Sequence, residues 1–211
     1  MDVGSRMKVP VITIDADESM RLAAQLLERH HIRQLPVVSK GRLVGIVSDR
    51  DIRRHSASRA TSLEVHELNY LLERIKVRDI MTPEPVTVTP TSSIEEAATL
   101  LRDRKFGALP VVEGERVVGI ITATDILDLL IEVLGMRQPG GLIELVVEDR
   151  PGSIYEVGRV VQEHGADIVS IMTSMSRDDK RVLLVKVDTM EFEEIAKDLE
   201  AVGIHVLSAL V

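Results

Sequence analysis

Cysteine and tryptophan are absent from this chain of 211 residues, and tyrosine and phenylalanine occur only twice each. The lack of cysteine excludes disulfide scaffolds, thiol catalysis and cysteine-ligated zinc or iron–sulfur clusters. So few aromatic rings disfavour a stacking platform for single-stranded nucleic acid. The net charge of −8 points the same way, because neutralising phosphates needs a basic surface. We therefore expect no nucleic-acid partner.

Long hydrophobic runs are also missing. The most apolar stretch, residues 126–134, is broken by Asp128 and Glu132 and is far shorter than the roughly 18 apolar residues that a membrane helix needs. The short apolar segment 9–14 runs directly into acidic residues, unlike a secretory signal. Gly-x-Ser-x-Gly, His-Glu-x-x-His and Walker motifs are absent, and the histidines are scattered. We expect a cytoplasmic protein without membrane contact, catalytic residues or a metal site.

A tandem duplication fills the first part of the chain. Residues 12–52 align with residues 86–126 at a constant offset of 74 without a gap, and both copies contain Leu-Pro-Val-Val, at Leu35–Val38 and Leu109–Val112. Such a long period is typical of a duplicated small domain. The hydrophobic pattern predicts a βαββα unit in each copy, with a first strand at residues 11–14 or 86–89 and a hairpin formed by the next two strands. Ser92 and Glu95 are predicted as a capping box in the second copy. One sheet face of such a unit is poorly covered, so the two copies should pack together.

The remaining segments complete the predicted fold, which combines α/β and α+β classes. Residues 142–211 read as a βαββαβ domain, with an antiparallel sheet and both helices on one face. The predicted divisions are a first unit 1–54, a connecting helix 55–76, a second unit 77–135, a linker 136–141 and a third domain 142–211.

One pattern with possible chemistry occurs in both copies. A hydroxyl precedes a carboxylate by three positions where a strand turns into a helix, at Ser48 and Asp51 and again at Thr122 and Asp125. A hydroxyl and free N–H groups at a helix start suit phosphate, and a carboxylate can accept both hydroxyls of a ribose. The same residues could instead be simple helix caps. The residues alone leave both interpretations open.

The duplicated pattern resembles a pair of CBS domains, a family that senses adenosyl nucleotides. The resemblance implies that the hydroxyls of Ser48 and Thr122 meet phosphate and that Asp51 and Asp125 hold ribose. It also implies an adenine pocket walled by the residues that precede Leu-Pro and by the lead-in segment 77–83. The wall residues are Ile32, Arg33, Phe106, Gly107, Met81 and Pro83.

The lead-in segments of the two copies are unequal. Residues 3–9 match residues 77–83 only at Val3 and Met7. We therefore expect the pocket that ends in Asp51 to lack part of its wall, so that Asp125 should matter more for binding than Asp51.

Charge also distinguishes the copies. Residues 29–59 carry a net charge of +6, whereas the matching window 103–133 carries −3. Arg50, Arg53 and Arg54 are the nearest candidates to meet phosphates, which predicts a preference for anionic AMP, ADP or ATP over S-adenosylmethionine. The alternative is a solvated surface helix.

The C-terminal region resembles an ACT domain through the sequence Asp-Arg-Pro-Gly at its first strand-to-helix turn. The resemblance implies an amino-acid site at this turn; the alternative is a tight turn in a domain that only dimerises. The candidate residues are Asp149, Pro151, Gly152, Ser153, Ile154 and Asp167. The order CBS–CBS–ACT, with Leu-Glu-Val-His-Glu-Leu-Asn at residues 63–69, looks like the acetoin-utilisation AcuB-like proteins.

These features predict a non-enzymatic cytoplasmic sensor in which an adenine nucleotide is the regulatory ligand. Two alternatives remain: a structural protein that dimerises without ligand, and a nucleotide-hydrolysing enzyme. Apolar residues cover more of the last CBS helix than one core face requires, so we expect a homodimer.

Overall fold

The computed structural model describes residues 1–57, 73–173 and 179–210. These residues form two compact units, Met1–Leu127 and Asp128–Val211. Residues 58–72 of the predicted connecting helix 55–76, which include the segment 63–69, lie outside the described residues. The helices are α1 (Met20–Arg29), α2 (Asp49–Ala57), α3 (Ile94–Asp103), α4 (Ala123–Val133), α5 (Ser153–Glu163) and α6 (Phe192–Ala201).

The first unit contains both copies of the duplication. Its strands are β1 (Ile14–Asp15), β2 (Gln34–Ser39), β3 (Arg42–Ser48), β4 (Thr82–Pro83), β5 (Ala108–Glu113) and β6 (Arg116–Thr122). The hairpins β2–β3 and β5–β6 are antiparallel and have matching registers, each with an irregularity before its turn. The repeated sequence therefore gives a repeated structure, and the predicted hairpins are confirmed.

The first predicted strand of each copy is shorter than expected. Only Ile14 and Asp15 of the first copy pair with β2, and only Val88 forms a bridge in the second, to Val111. Prolines flank these segments, and a proline nitrogen cannot donate to a ladder. The predicted strands 11–14 and 86–89 are thus reduced to short bridges.

The lead-in segments are exchanged between the copies. β4, which precedes the second copy, pairs with β3 of the first copy through Gly45 and Ile46. Conversely, the segment before the first copy pairs with β6 of the second, where the N–H of Lys8 donates to the carbonyl of Ile120 over 2.8 Å. Each copy is completed by a segment attached to the other, so neither would be whole alone.

Hydrogen bonds upstream repeat this exchange. The N–H of Val77 donates to Glu18 of the first copy over 2.9 Å, and the N–H of Val3 donates to Ser92 of the second over 2.9 Å. Val3 and Val77 are both fully buried. One of the two lead-in matches visible in the sequence, valine at these two positions, therefore marks a packing anchor in each copy.

The helices α1 and α3 begin at equivalent caps. Ser19 accepts from the N–H of Leu22, and Ser93 accepts from the N–H of Glu96 over 3.0 Å. The prediction that Ser92 caps α3 was wrong by one residue. Hydrogen bonds from its own backbone N–H and from Ser93 lower the pKa of Glu95, which stays ionised in the first turn.

The second unit contains the predicted βαββαβ domain. Its strands β7 (Leu142–Glu148), β8 (Ile168–Thr173), β9 (Lys180–Val187) and β10 (His205–Leu210) form an antiparallel sheet in the order β10–β7–β9–β8. Alternate residues of β7 and β9 share one core with both α5 and α6. The prediction that both helices cover one sheet face is confirmed.

The residues at and just before the predicted linker 136–141 belong to the second unit. Leu134 accepts a hydrogen bond from the hydroxyl of Ser170 over 3.0 Å, and Gly140 accepts one from the buried ammonium of Lys186 over 2.7 Å. The division between the units lies inside α4, before Asp128, whereas the sequence placed it after residue 135. At the other predicted division, α2 continues to Ala57, past residue 54.

Candidate functional site

Ser48 and Asp51 form a reciprocal cap where β3 turns into α2. The Ser48 hydroxyl donates to Oδ2 of Asp51 over 2.5 Å, and the Ser48 N–H donates to the same oxygen over 2.9 Å. The Asp51 N–H donates to the Ser48 hydroxyl over 3.3 Å. The two contacts from Ser48 to the carboxylate both use Oδ2, and no described residue bonds Oδ1 of Asp51.

Thr122 and Asp125 repeat this cap at the start of α4. The Thr122 hydroxyl and N–H donate to Oδ2 of Asp125 over 2.6 and 2.7 Å. The capping interpretation is therefore correct for both pairs. It does not exclude ligand binding, because a cap of this kind engages only one of the two carboxylate oxygens and fixes the direction of the other.

A cleft of about 710 Å³ lies beside Asp51. Its volume falls within the range of roughly 300–1,000 Å³ typical of small-molecule sites. Residues of both copies contribute to it. It is lined by Arg33, Gln34, Ile46, Ser48, Asp49, Arg50, Asp51, Arg53, Thr82, Glu84, Pro85, Val86, Lys105, Phe106, Gly107 and Ala108.

The cleft combines positive charge with an apolar wall. Four of its side chains are cationic, namely those of Arg33, Arg50, Arg53 and Lys105, and three are acidic, namely those of Asp49, Asp51 and Glu84. Arg53 is paired with Asp49 at 2.7 Å, one turn earlier on α2. Ile46, Val86 and Phe106 supply apolar surface, and Phe106 is 36% exposed. An anion with a planar apolar group fits this combination.

Most of the predicted nucleotide residues meet in this cleft. Those that line it are Arg33, Ser48, Arg50, Asp51, Arg53, Phe106 and Gly107. Ile32 and Met81 instead pack against the core of the first copy, and Pro83 pairs with Gly45 on β3. Thr122 and Asp125 are not among the lining residues.

Several lining residues were missed by the sequence interpretation. They include Gln34, Glu84, Val86 and Lys105, whereas Thr82 lies within the lead-in segment 77–83 that the resemblance indicated. Gln34, Glu84 and Lys105 directly adjoin indicated residues, so extending those segments by one position would have found them.

The expectation that the Asp51 pocket lacks part of its wall was wrong. Because the lead-in segments are exchanged, the segment 82–86, which follows the better-matching lead-in, borders Asp51. The weaker segment around Lys8 borders Asp125 instead, and its ammonium lies 3.0 Å from Oδ1 of that carboxylate. The Asp51 side therefore has the better-matching lead-in segment as its wall.

A second cavity, of about 510 Å³, lies at the first turn of the C-terminal domain. It is lined by Val147, Glu148, Asp149, Arg150, Pro151, Gly152, Ser153, Ile154, Tyr155, Arg181 and Leu183. All the predicted amino-acid residues except Asp167 are in this set. Asp167 instead accepts from the N–H of Ile168 and donates its own N–H to Asp188.

The polar groups of this second cavity are largely engaged with each other. The Ser153 hydroxyl donates to the carbonyl of Glu148 over 2.6 Å, and Asp149 is paired with Arg181. Hydrogen bonds to Glu156 and then to Glu148 raise the pKa of Arg150. The apolar rim of the cavity, Ile154 and Tyr155, is exposed to solvent.

Comparison with known families agrees with this architecture. The CBS domain family matches residues 2–58 and 77–132, and the ACT domain family matches residues 141–203. The chain belongs to the CBS-domain proteins, as a tandem pair followed by an ACT domain.

Three solved structures resemble the CBS pair. AcuB of Vibrio cholerae is 27% identical with a TM-score of 0.54, covering 65% of this chain and 95% of its own. CBSX2 in complex with AMP is 30% identical with a TM-score of 0.52, covering 63% and 97%. The CBS pair of protein MJ0100, in complex with 5′-methylthioadenosine and S-adenosyl-L-methionine, is 29% identical with a TM-score of 0.52, covering 62% and 99%. The similarity to AcuB agrees with the AcuB-like resemblance.

No helix in ranges 1–57, 73–173 and 179–210 has the length and apolar character to cross a membrane. In the same ranges, no group of three or more His, Asp or Glu side chains is placed to hold a metal ion.

Proposed function

We propose that this protein is a regulatory sensor that binds an adenine nucleotide, AMP, ADP or ATP, in the cleft beside Asp51. The observation that carries the proposal is the cleft itself, where a carboxylate oxygen without a described partner, four cationic side chains and an apolar wall converge. The complexes of similar CBS pairs with AMP and with S-adenosylmethionine support an adenosyl ligand.

Each part of the cleft has a role in this proposal. Oδ1 of Asp51 accepts the ribose hydroxyls, in an orientation that the bonds from Ser48 to Oδ2 maintain. Arg50 and Lys105 bind the phosphates, with Arg33 and Arg53 beside them. The adenine packs among Ile46, Val86 and Phe106. A ligand held this way contacts both copies and so favours one arrangement of the pair.

Calorimetric titration tests the proposal directly. We expect the full-length protein to bind AMP, ADP or ATP with micromolar affinity or better and to bind S-adenosylmethionine more weakly. Lack of heat with all four ligands, in a protein shown to be folded by circular dichroism, would favour the alternative of a structural protein without ligand. Release of phosphate or adenosine from a bound nucleotide would favour the alternative of a hydrolase.

We further propose that the ACT domain binds an amino acid at the cavity around Gly152. The volume of about 510 Å³ and the apolar rim support this, since a small zwitterion needs both a polar turn and a wall for its side chain. Binding here would make the protein a cytoplasmic sensor of two ligands, coupled through the domains they stabilise.

A thermal-shift screen with the twenty amino acids tests this second site. The substitution Ile154→Trp fills the cavity from its rim and should abolish any shift, whereas Val202→Trp, at an exposed position beyond α6, should not. An amino-acid response that survives Ile154→Trp would contradict this site, and no response to any amino acid would favour a domain that only dimerises.

A further inference from the structure

The two copies differ at one position that faces their capping aspartates. Lys8 pairs with Ile120 on β6, just as Thr82, 74 positions later, pairs with Ile46 on β3. The two side chains therefore start from equivalent places, one near Asp125 and the other near Asp51. Thr82 lines the cleft, whereas Lys8 extends its ammonium to within 3.0 Å of Asp125 Oδ1.

This contact engages both oxygens of Asp125. Oδ2 accepts from the hydroxyl and N–H of Thr122, and Oδ1 is paired with Lys8. The carboxylate side chain is only 8% exposed, so a ribose has little room to approach beside the lysine. In the first copy, Thr82 has a short hydroxyl side chain in place of the lysine, and Thr82 and Asp51 both line the cleft.

We infer that Lys8 is a specificity-determining residue that occupies the Asp125 site and directs the nucleotide to the Asp51 site. This inference rests on the function proposed above. The ammonium donates to the same oxygen that a ribose would use, so a nucleotide must first displace it. Because the Lys8 side chain is 59% exposed, displacement has a limited cost, and the result is a weakened second site.

A reciprocal exchange of the two residues provides the test, with AMP as the probe in calorimetric titrations of the full chain. We expect the wild type to bind one AMP per chain tightly and a second about tenfold or more weakly, the scale of one charge-assisted hydrogen bond. Lys8→Thr should give two sites of similar affinity. Thr82→Lys should remove the tight site. Lys197→Thr, which removes an exposed lysine from α6 in the other unit, is the matched control and should leave the titration unchanged.

The outcomes separate this inference from the proposed function. Two equal sites in the wild type, or a weaker second site in Lys8→Thr, would overturn the role of Lys8 while nucleotide binding stood. Absence of AMP binding by the wild type and by Lys8→Thr would overturn both. Lys8 and Thr82 are surface residues, so both variants should fold, and circular dichroism verifies this.

Discussion

The thioether of Met81 lies over Gly45 so closely that a Cβ on this glycine would overlap its sulfur atom. The equivalent pair, Met7 over Gly119, has the same arrangement. In both pairs the methionine belongs to the lead-in segment of one copy and the glycine to a strand of the other. The two glycines thus admit the exchanged segments that close each half of the CBS pair.

We expect Gly45→Ala to destabilise the protein by about 1–3 kcal/mol, the usual cost of overpacking a filled site. Combining it with Met81→Ala should recover part of this loss, because the shortened side chain no longer meets the new methyl group. Urea unfolding of the four proteins in a double-mutant cycle measures the coupling, which should be about 1 kcal/mol or more.

The cross pair is the control for this cycle. Met7 faces Gly119, so Gly45→Ala and Met7→Ala should be additive within about 0.5 kcal/mol. Coupling of Gly45 to Met7 in place of Met81 would mean that the lead-in segments are not exchanged.

Gly158→Ala, at an open position inside α5, should instead stabilise the second unit by about 0.5–1 kcal/mol.

We predict that Asp51→Ala weakens AMP binding at the tight site by about tenfold to a hundredfold, the value of a hydrogen bond to a charged acceptor. Asp125→Ala should have a small effect at that site, because it lies outside the cleft and is paired with Lys8. Both substitutions remove a helix cap, so each protein's unfolding must be measured beside its binding isotherm. If Asp125→Ala weakened AMP binding at the tight site more than Asp51→Ala, the result would contradict this prediction and support the expectation from the sequence that Asp125 matters more.

The sequence and the structure thus lead to opposite expectations for Asp51 and Asp125, and the reason lies in which contacts are local in the sequence. The duplication, both hairpins and the caps at Asp51 and Asp125 follow from local patterns, since strand alternation and capping depend on residues a few positions apart. The exchange of lead-in segments does not, because pairing of Lys8 with Ile120 joins residues more than a hundred positions apart. The lead-in segment that borders each aspartate is determined by tertiary structure. A sequence interpretation that treats each copy as self-contained therefore places residues 3–9 beside Asp51, whereas they lie beside Asp125.

Helix α4 carries exposed apolar side chains, from which we predict how the protein assembles into oligomers. Leu127, Leu130 and Val133 are 58%, 47% and 54% exposed and follow one another at intervals of three along the helix. At the place equivalent to Leu127, α2 carries Arg53. An apolar stripe of this kind on the surface indicates a protein partner, and we expect a second copy of the chain to cover it.

We therefore expect a homodimer by light scattering at micromolar concentration, and a monomer for the variant Leu127→Arg with Leu130→Arg. Val202→Arg, at an isolated exposed position, is the control and should stay dimeric. A monomeric wild type would contradict the prediction. A dimer that survives the double substitution would exclude the α4 stripe and favour the edge strand β10, where Leu207 and Leu210 are also exposed.

The cationic side chains of the cleft give the last prediction, which concerns the charge of the ligand. Arg50 and Lys105 line the cleft from opposite copies, whereas Arg54 is exposed on α2 and is not among the lining residues. If the first two bind phosphate, Arg50→Ala and Lys105→Ala should each weaken AMP binding about fivefold at low salt and reduce its dependence on ionic strength. Arg54→Ala should leave both quantities unchanged, because its charge is screened by solvent.

Titration with adenosine, which lacks the phosphate, distinguishes a charge effect from a change of shape, since neither cleft substitution should alter its affinity. S-adenosylmethionine carries a positive sulfonium, so the same substitutions should leave its binding unchanged or improve it. A preference of the wild type for S-adenosylmethionine, or a salt dependence that Arg54→Ala reduces as much as Arg50→Ala, would show that the basic residues of α2 act on something other than a nucleotide phosphate.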